Sequence, residues 1–497
     1  MRRVFGLFAL AIAATPALTP AAAQVSGLAR TEIQVGNTPY TDPGSLTTIF
    51  EQLSLRYDAG DVRIAARAES FQTHIRERSY TSLSQVRLTA RKAGFDFSAG
   101  HFYEILGRGL LLRGFEIPGS TYEDAAFRIR QSFQRDIEGA TLGYSNRLLD
   151  LRVLRGKPLL SVLPPTEPRA SRRPDLVTAA SAEIRLGPSR LAGYVLRNES
   201  EIGDADYASG SFRIDKGGAQ AYVELASRLN DDASPLEGSH ALYASLSYGR
   251  AGFGGGIEYK DYEDFFLGSG FNDPPSLIRE HSWVTLNRST HVLNAVNERG
   301  FQAELYGSVW DAGTFTLNAT RTVNDFGLEF IYREYYAEFA TSPVRTTSAR
   351  VFVDVAEDDL KGESARRSAG IYVDRKLTGP WSASGTIEAQ RFDRDFLEDG
   401  EASNFVAGIT INRSSKYSAG LVVERSTDPF FTDDPATPEI EATARHWLGV
   451  NLGWRPNRRH TISLFGGTRR GGPACTSGIC YEVLDFEGAE LRISSRF

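Results

Sequence analysis

The chain has 497 residues, a formal net charge of −6, 11% aromatic residues, 47 glycines and only two cysteines. That length would suit several soluble domains, yet no helix-period stretch and no low-complexity linker divides it. An acidic balance without a basic cluster excludes nucleic acid as an expected partner.

The first residues, Met1-Arg-Arg-Val-Phe-Gly-Leu-Phe-Ala-Leu, join two arginines to an apolar run. Ala21-Ala-Ala23 before Gln24 offers an A-x-A cleavage site, so residues 1–23 read as a Sec-type signal peptide. No cysteine follows the cleavage site to carry a lipid anchor. Nothing later reaches the roughly eighteen continuous apolar residues a spanning helix needs. The mature chain, 24–497, is expected to be exported as one domain.

From a first strand near Leu28–Gly36 onward, apolar and polar residues alternate with period two. Ala219, Ala221, Val223 and Leu225 oppose Gln220, Tyr222, Glu224 and Arg228. Phe301, Ala303 and Leu305 oppose Gln302 and Glu304; Trp381, Ala383 and Ile387 oppose Ser382, Ser384 and Glu388; Leu448, Val450 and Leu452 oppose Trp447, Gly449 and Asn451. One face suits lipid and the other a wet interior, although a soluble sandwich would alternate in the same way. The connections separate the two. Short turns (58–61, 91–94, 187–190, 215–218, 310–313, 413–416) alternate with longer polar loops (158–175, 265–298, 357–365, 427–440), the two rims of an outer-membrane barrel. Counting back from the C-terminus keeps every short turn periplasmic and the long loops extracellular, including 265–298 and the cysteine hairpin. The expected fold is all-β: a single transmembrane antiparallel up-and-down barrel of about 24 strands, with 22–26 tolerable. Regions 100–135 and 265–300 each have room for a further hairpin.

The segment His101–Glu116 breaks the alternation with Gly107, Gly109, Gly114 and the apolar run Leu110-Leu-Leu112. Its glycines permit a bulge or an inward fold. In the inward case Glu104, Arg108, Arg113 and Glu116 line a constriction, and Glu224, Arg228, Glu304 and Glu388 on polar faces join them in the lumen. The alternative is a bulged strand whose charges pair at the rim.

Signals for catalysis are poor. His74, His101, His240, His281, His291, His446 and His460 are scattered without metal-ligand spacing, and neither a nucleophile elbow nor a phosphate-binding loop occurs. No catalytic residue, cofactor or metal is expected. Asp231-Asp232, Asp358-Asp359 and Asp433-Asp434 read as solvated loop tips before they read as Ca²⁺ ligands. The run Tyr332–Phe339 puts aromatics on both faces, with an interfacial girdle explaining the outer ones.

Cys475 and Cys480 are close in sequence and, in an exported chain, are expected to form a disulfide. So small a ring contributes about 2 kcal/mol in the chain-entropy model and pins a loop tip. The last strand, Leu491-Arg-Ile-Ser-Ser-Arg-Phe497, places Leu491, Ile493 and Phe497 on one face. It resembles the closing strand of bacterial outer-membrane barrels, although Ser495 stands where a bulky residue is usual. The resemblance implies that Leu491, Ile493 and Phe497 form the signal read by the barrel-assembly machinery. With the 101–116 segment and the Gly-Gly-Pro-Ala-Cys…Cys-Tyr hairpin, the chain also resembles a family of large outer-membrane barrels known only as a domain of unknown function. That resemblance implies a fold and no activity.

The reading that follows is an outer-membrane channel, porin-like, with its lumen narrowed by inward side chains or folded-in loops. Its partners are outer-membrane lipid, the assembly machinery and a small solute. The competing reading is a surface-exposed interaction or assembly protein with a filled, non-conducting barrel. A TonB-dependent receptor is disfavoured, since its plug precedes the barrel and alternation here begins almost at Gln24.

Overall fold

The computed structural model describes residues 23–37, 45–123, 128–159, 175–201, 203–229, 238–265, 267, 271–291, 297–309, 313–396, 400–432, 444–476 and 479–497. The expected signal peptide therefore lies outside the described residues, apart from Ala23. The polypeptide forms a closed antiparallel sheet of 24 strands in which sequence neighbours pair around the circumference. Closure joins the first strand, Ala23–Asn37, to the last, Phe486–Arg496, in register from Leu28↔Arg496 to Asn37↔Glu487.

Alternation sets the two faces. In Trp381–Arg394 the outward Ile387 is exposed while the inward Glu388 and Gln390 are buried. Leu142, Val153, Val195, Ile257, Leu305 and Val353 extend the outward apolar band around the wall, as a lipid-facing surface requires. No described helix is long and apolar enough to cross a membrane.

Eleven connections of two to five residues form one rim, next to the first and last strands. The other rim carries connections of three to 34 residues, so the expected separation into short and long holds. One expected long loop is short: strands run to Asp358 and resume at Glu363, leaving only 359–362 between them. Within it Asp358 is buried and bonded to His291, and Asp359 accepts the Ile331 backbone N–H, so this pair is not a solvated tip. The pairs 231–232 and 433–434 lie outside the described residues.

Phe497 fastens the seam. Its backbone exchanges two hydrogen bonds with Gly27, at 2.9 and 3.1 Å, and its ring covers Gly27 so closely that any side chain there would collide with it. Leu491 and Ile493 share its outward face, opposite the buried Glu490.

Candidate functional site

Among the described residues, parts of three long connections fold into the barrel. Residues 103–136, 264–297 and 470–485 join wall strands that pair directly with each other or lie side by side, so none of them is needed to continue the sheet. The expectation that 265–298 and the cysteine hairpin project from the cell surface gives way here: described parts of both are packed against the inner wall or the other connections. The physical reason is burial. These segments carry Trp, Phe and Leu side chains that find an apolar or hydrogen-bonded seat only inside the ring.

The first connection contains two small hairpins, Ile105–Leu106 with Leu112–Arg113 and Phe115–Glu123 with Arg130–Arg135. The extra hairpin considered for this region thus exists twice over, inside the wall and not in it. Leu106, Leu110, Leu111 and Leu112 are buried among inward residues of the wall, including Leu154, Leu196 and Tyr222. Those wall strands present Leu and Ala inward where a water-filled lumen would need polar groups. The apolar Leu110–Leu112 run therefore has its partner across the lumen.

Around this core, charged groups tie the connection to the wall. Gly107, at φ +56°, lies against the Glu224 carboxylate, leaving no space for a side chain. Glu224 accepts hydrogen bonds from the Arg108 backbone N–H and the Ser209 hydroxyl, both at 2.8 Å, and from the Tyr222 hydroxyl. The Arg108 guanidinium stacks over the Tyr222 ring, 5.0 Å from its centre. Glu104 pairs with Arg152 at 2.7 Å, and burial pushes its carboxyl up against the opposing pull of that arginine. Glu116 pairs with Arg67 and accepts from the Tyr103 hydroxyl at 2.9 Å. Toward the seam, Arg130 reaches Glu32 at 3.3 Å and Ser132 donates to Glu69 at 2.6 Å.

The second connection begins on the first. The Asn272 amide donates to the Leu110 carbonyl at 3.2 Å, and the Arg113 N–H donates to the Phe271 carbonyl at 3.0 Å. The Arg113 guanidinium pairs with Asp273 at 3.1 Å. Burial holds the Asp273 carboxyl above the ordinary aspartate range, with Arg113 and Arg135 pulling it back only in part. The chain then crosses to the opposite wall, where polar contacts surround a small buried cluster of Trp283, Leu286, Tyr336 and Phe352. Arg279 pairs with Glu304, His281 with Glu334 at 3.1 Å, and the Trp283 indole N–H donates to Tyr336 and Glu338 at 3.0 and 2.9 Å. Glu388 accepts from the Val284 and Thr285 backbone N–H groups and the Thr285 hydroxyl, at 3.2, 2.9 and 2.9 Å. It thereby caps the free N–H groups that open the short helix Val284–Arg288. Arg288 pairs with Glu424, and His291 with Asp358 at 2.8 Å.

The third connection closes the chain of contacts. The Arg470 carbonyl accepts from Arg288 at 3.2 Å, and the Tyr481 ring lies 5.0 Å from that of Phe133 in the first connection. Cys475 and Cys480 face each other in register across the hairpin Gly472–Thr476/Ile479–Val483; their side chains lie outside those described.

Of the lumen candidates, Glu104, Arg108, Arg113, Glu116, Glu224, Glu304 and Glu388 are all placed at contacts between the folded-in connections and the wall or between two connections. Arg228 is not; it is exposed at the end of Ala219–Arg228. Sequence reasoning missed Glu334, Glu338, Asp354, Asp358 and Arg366 on the wall. Tyr332, Glu334, Tyr336 and Glu338 share one face by period two, so their inward direction was readable. What they bind was not, because the partners lie some fifty residues away in a segment without periodicity. Tyr332 and Tyr336 are buried under that segment, Tyr332 stacked with His291 and Tyr336 in tilted contact with His281, while Tyr335 faces outward. Among the described residues no cluster of His, Cys, Asp and Glu is arranged to hold a metal ion.

No family model matches this chain, and no curated protein does. The resemblance to a barrel family of unknown function is thus without support from any family model, and the coarser outer-membrane barrel architecture is what stands. Solved structures are similar. A chain of the E. coli P pilus tip assembly intermediate PapC-PapD-PapK-PapG matches with a TM-score of 0.52 and 10% identity, over 97% of this chain and 62% of that one. The P pilus usher (PapC) translocation pore gives 0.45 and 12%, over 95% and 99%. Pseudomonas aeruginosa OpdK with vanillate gives 0.37 and 11%, over 95% and 98%. At such identities the likeness is one of fold, and the first of these carries it; the chain spans less than two thirds of that relative's length.

Proposed function

We propose that this protein is an outer-membrane channel held shut by its own connections. The observation that supports it most is that the lumen is occupied by segments the barrel does not need for closure, which dock on the wall through apolar burial on one side and through many ion pairs and hydrogen bonds on the other. A passage closed in this way opens when one segment moves and the sheet stays intact. The export signal at 1–23 and the Leu491, Ile493 and Phe497 assembly signal belong to the same reading, with outer-membrane lipid, the assembly machinery and a small solute as partners. No enzymatic activity is assigned to it. The Cys475–Cys480 disulfide pins the third connection; alkylation with and without reduction, read by mass, tests that link.

The competing reading, a filled barrel that serves a surface partner, draws on the apolar core around Leu110–Leu112, since a gate has little use for a permanently packed interior. Single-channel recording in a planar bilayer separates the two. The channel reading expects sparse, small openings from the intact protein and a large steady conductance after residues 104–135 are replaced by a short Gly-Ser turn. Silence from both proteins, each shown to be folded by heat-modifiable migration, leaves the filled barrel.

A further inference from the structure

The rim of short turns carries a charge opposite to that of the chain. The whole sequence is acidic at −6, yet ten of the eleven short turns have Lys or Arg in the turn or within two residues of it, 309–312 being the exception. Lys216, Arg250, Arg345, Lys376, Lys416 and the Arg455/Arg458/Arg459 group are exposed and have no acidic partner among the described residues. The acids of this rim are mostly occupied: Asp58 by Arg56 and Arg63, Asp96 by Arg91, Asp150 and Glu183 by Arg185, Asp215 by Arg213.

A belt of aromatic side chains lies on the outer face beside these turns. Tyr57, Phe95, Tyr248, Trp381, Tyr417 and Trp454 are each between 40% and 55% exposed, and each stands at or within three residues of a short turn. Aromatics of this kind sit at the boundary between hydrocarbon and headgroups. The free cations immediately beyond them are therefore at the depth of lipid phosphates.

We propose that this basic rim binds the anionic phospholipid headgroups of the periplasmic leaflet, phosphatidylglycerol and its relatives, as a ring of boundary lipid. Two observations select a leaflet over a docked protein. Lys or Arg stands at ten of the eleven turns, as a partner that surrounds the barrel requires, where a protein seated on one side would leave a one-sided patch. The aromatic belt also fixes their depth at the membrane surface. Anionic lipid attracts Lys and Arg at that surface, and the attraction is screened by salt within a Debye length. The inference rests on the barrel spanning a membrane and is independent of whether it conducts.

Electron spin resonance of spin-labelled lipids tests it, with the full-length barrel reconstituted in phosphatidylcholine nanodiscs. The immobilised boundary population should prefer labelled phosphatidylglycerol over labelled phosphatidylcholine several-fold at low salt and lose most of that preference at high salt. Replacing Lys376, Lys416, Arg455, Arg458 and Arg459 with Gln should bring the ratio toward one, with the heat-modifiable gel shift unchanged. A ratio near one for the intact protein overturns the proposal, as does undiminished selectivity in the folded variant. Soluble polyglutamate binding to the rim with no lipid preference would equally overturn it, in favour of an acidic polymer. Failure of the protein to insert at all would count against the membrane-spanning barrel itself, a different outcome from insertion without lipid preference.

Discussion

The two sides of the lumen are filled by different chemistry. Against strands 149–263 the first connection docks mainly by burying leucines, with Glu224 anchoring its glycine turn and Arg152 pairing with Glu104. Against strands 298–426 the second connection docks by Arg279, His281, Thr285, Arg288 and His291 on wall carboxylates. Apolar burial contributes about 25 cal/mol per Å² and is not screened by salt. A buried ion pair roughly breaks even against its desolvation, although removing one member strands the other at high cost. The leucine side therefore behaves as fixed filling. The charged side, the latch, also buries Trp283 and Leu286 against Tyr336 and Phe352, but its charged groups would regain water if the segment left. Under the channel reading, that is where opening begins.

The largest expected effect tests whether the wall itself depends on paired charge. Lys260 and Glu298 lie 2.7 Å apart, both fully buried, on neighbouring strands where the second connection leaves and rejoins the wall. Lys260→Met should cost about 3–5 kcal/mol by leaving Glu298 unpaired, read as a lowered transition from the folded to the boiled gel form. Lys260→Met with Glu298→Leu should recover most of it. If it does not, the pair is not what the strands lean on.

Next comes the leucine side. Leu111→Ala opens a cavity in a fully buried cluster and should cost about 2–5 kcal/mol, while leaving opening frequency unchanged. Glu388→Gln should do the reverse. It keeps the shape but weakens the cap on Val284 and Thr285, so bursts of conductance should become more frequent with little loss of thermal stability. Equal behaviour of the two variants would erase the distinction between filling and latch.

Much of this was legible in the sequence, and the boundary of legibility has a physical cause. Period-two patterning shows which way Ile387 and Glu388 point because each strand satisfies its own backbone through its neighbours, and neighbours follow in chain order. The rim parity follows from turn length alone. The Leu110–Leu112 run marks the break in alternation, while Glu104, Arg108, Arg113 and Glu116, expected to line one constriction, each meet a different partner: Arg152, Glu224 and Tyr222, Asp273, and Arg67. That Arg113 would meet Asp273, and Glu388 the start of a five-residue helix, depends on contacts more than a hundred residues apart between segments that carry no periodic pattern. Local rules say nothing about such pairs. Reading residues 265–298 as an exposed loop rested on length and polarity, and those polar groups are the ones the inner wall neutralises.

Acidity offers a subtler test. Asp273 joins the two connections, faces Arg113 and Arg135, and has its carboxyl raised by burial. The docked arrangement thus takes up a proton more readily than the released one, in which Asp273 titrates near the ordinary value of about 3.9. Docking is favoured as pH falls toward that value and weakened as pH rises through the raised one. Opening frequency should increase across that window in the intact protein. Asp273→Asn should flatten the increase and favour the closed state, and a slope unchanged by the substitution would remove Asp273 from the latch.

The smallest effect is expected where charge is paired but not buried. Arg299 and Glu329 lie 3.3 Å apart on the rim of long connections, with side chains 62% and 58% exposed. Water solvates both whether or not they touch, so the pair contributes about 0–1 kcal/mol and less in salt. Arg366 and Glu334 lie at the same 3.3 Å but are almost wholly buried under the second connection, where Arg366 also donates to the Ser289 carbonyl. Distance is equal, but Arg366 is buried and also pairs with Asp354 and Glu363, so the two arginines contrast a solvated pair with a buried network. Arg299→Gln should leave gel transition and conductance within error of the parent, whereas Arg366→Gln should alter both. Should Arg299→Gln disturb opening as strongly, the latch would be governed by the net charge of the rim instead of by contacts inside the barrel, and the division between the two sides of the lumen would have to be redrawn along the membrane normal.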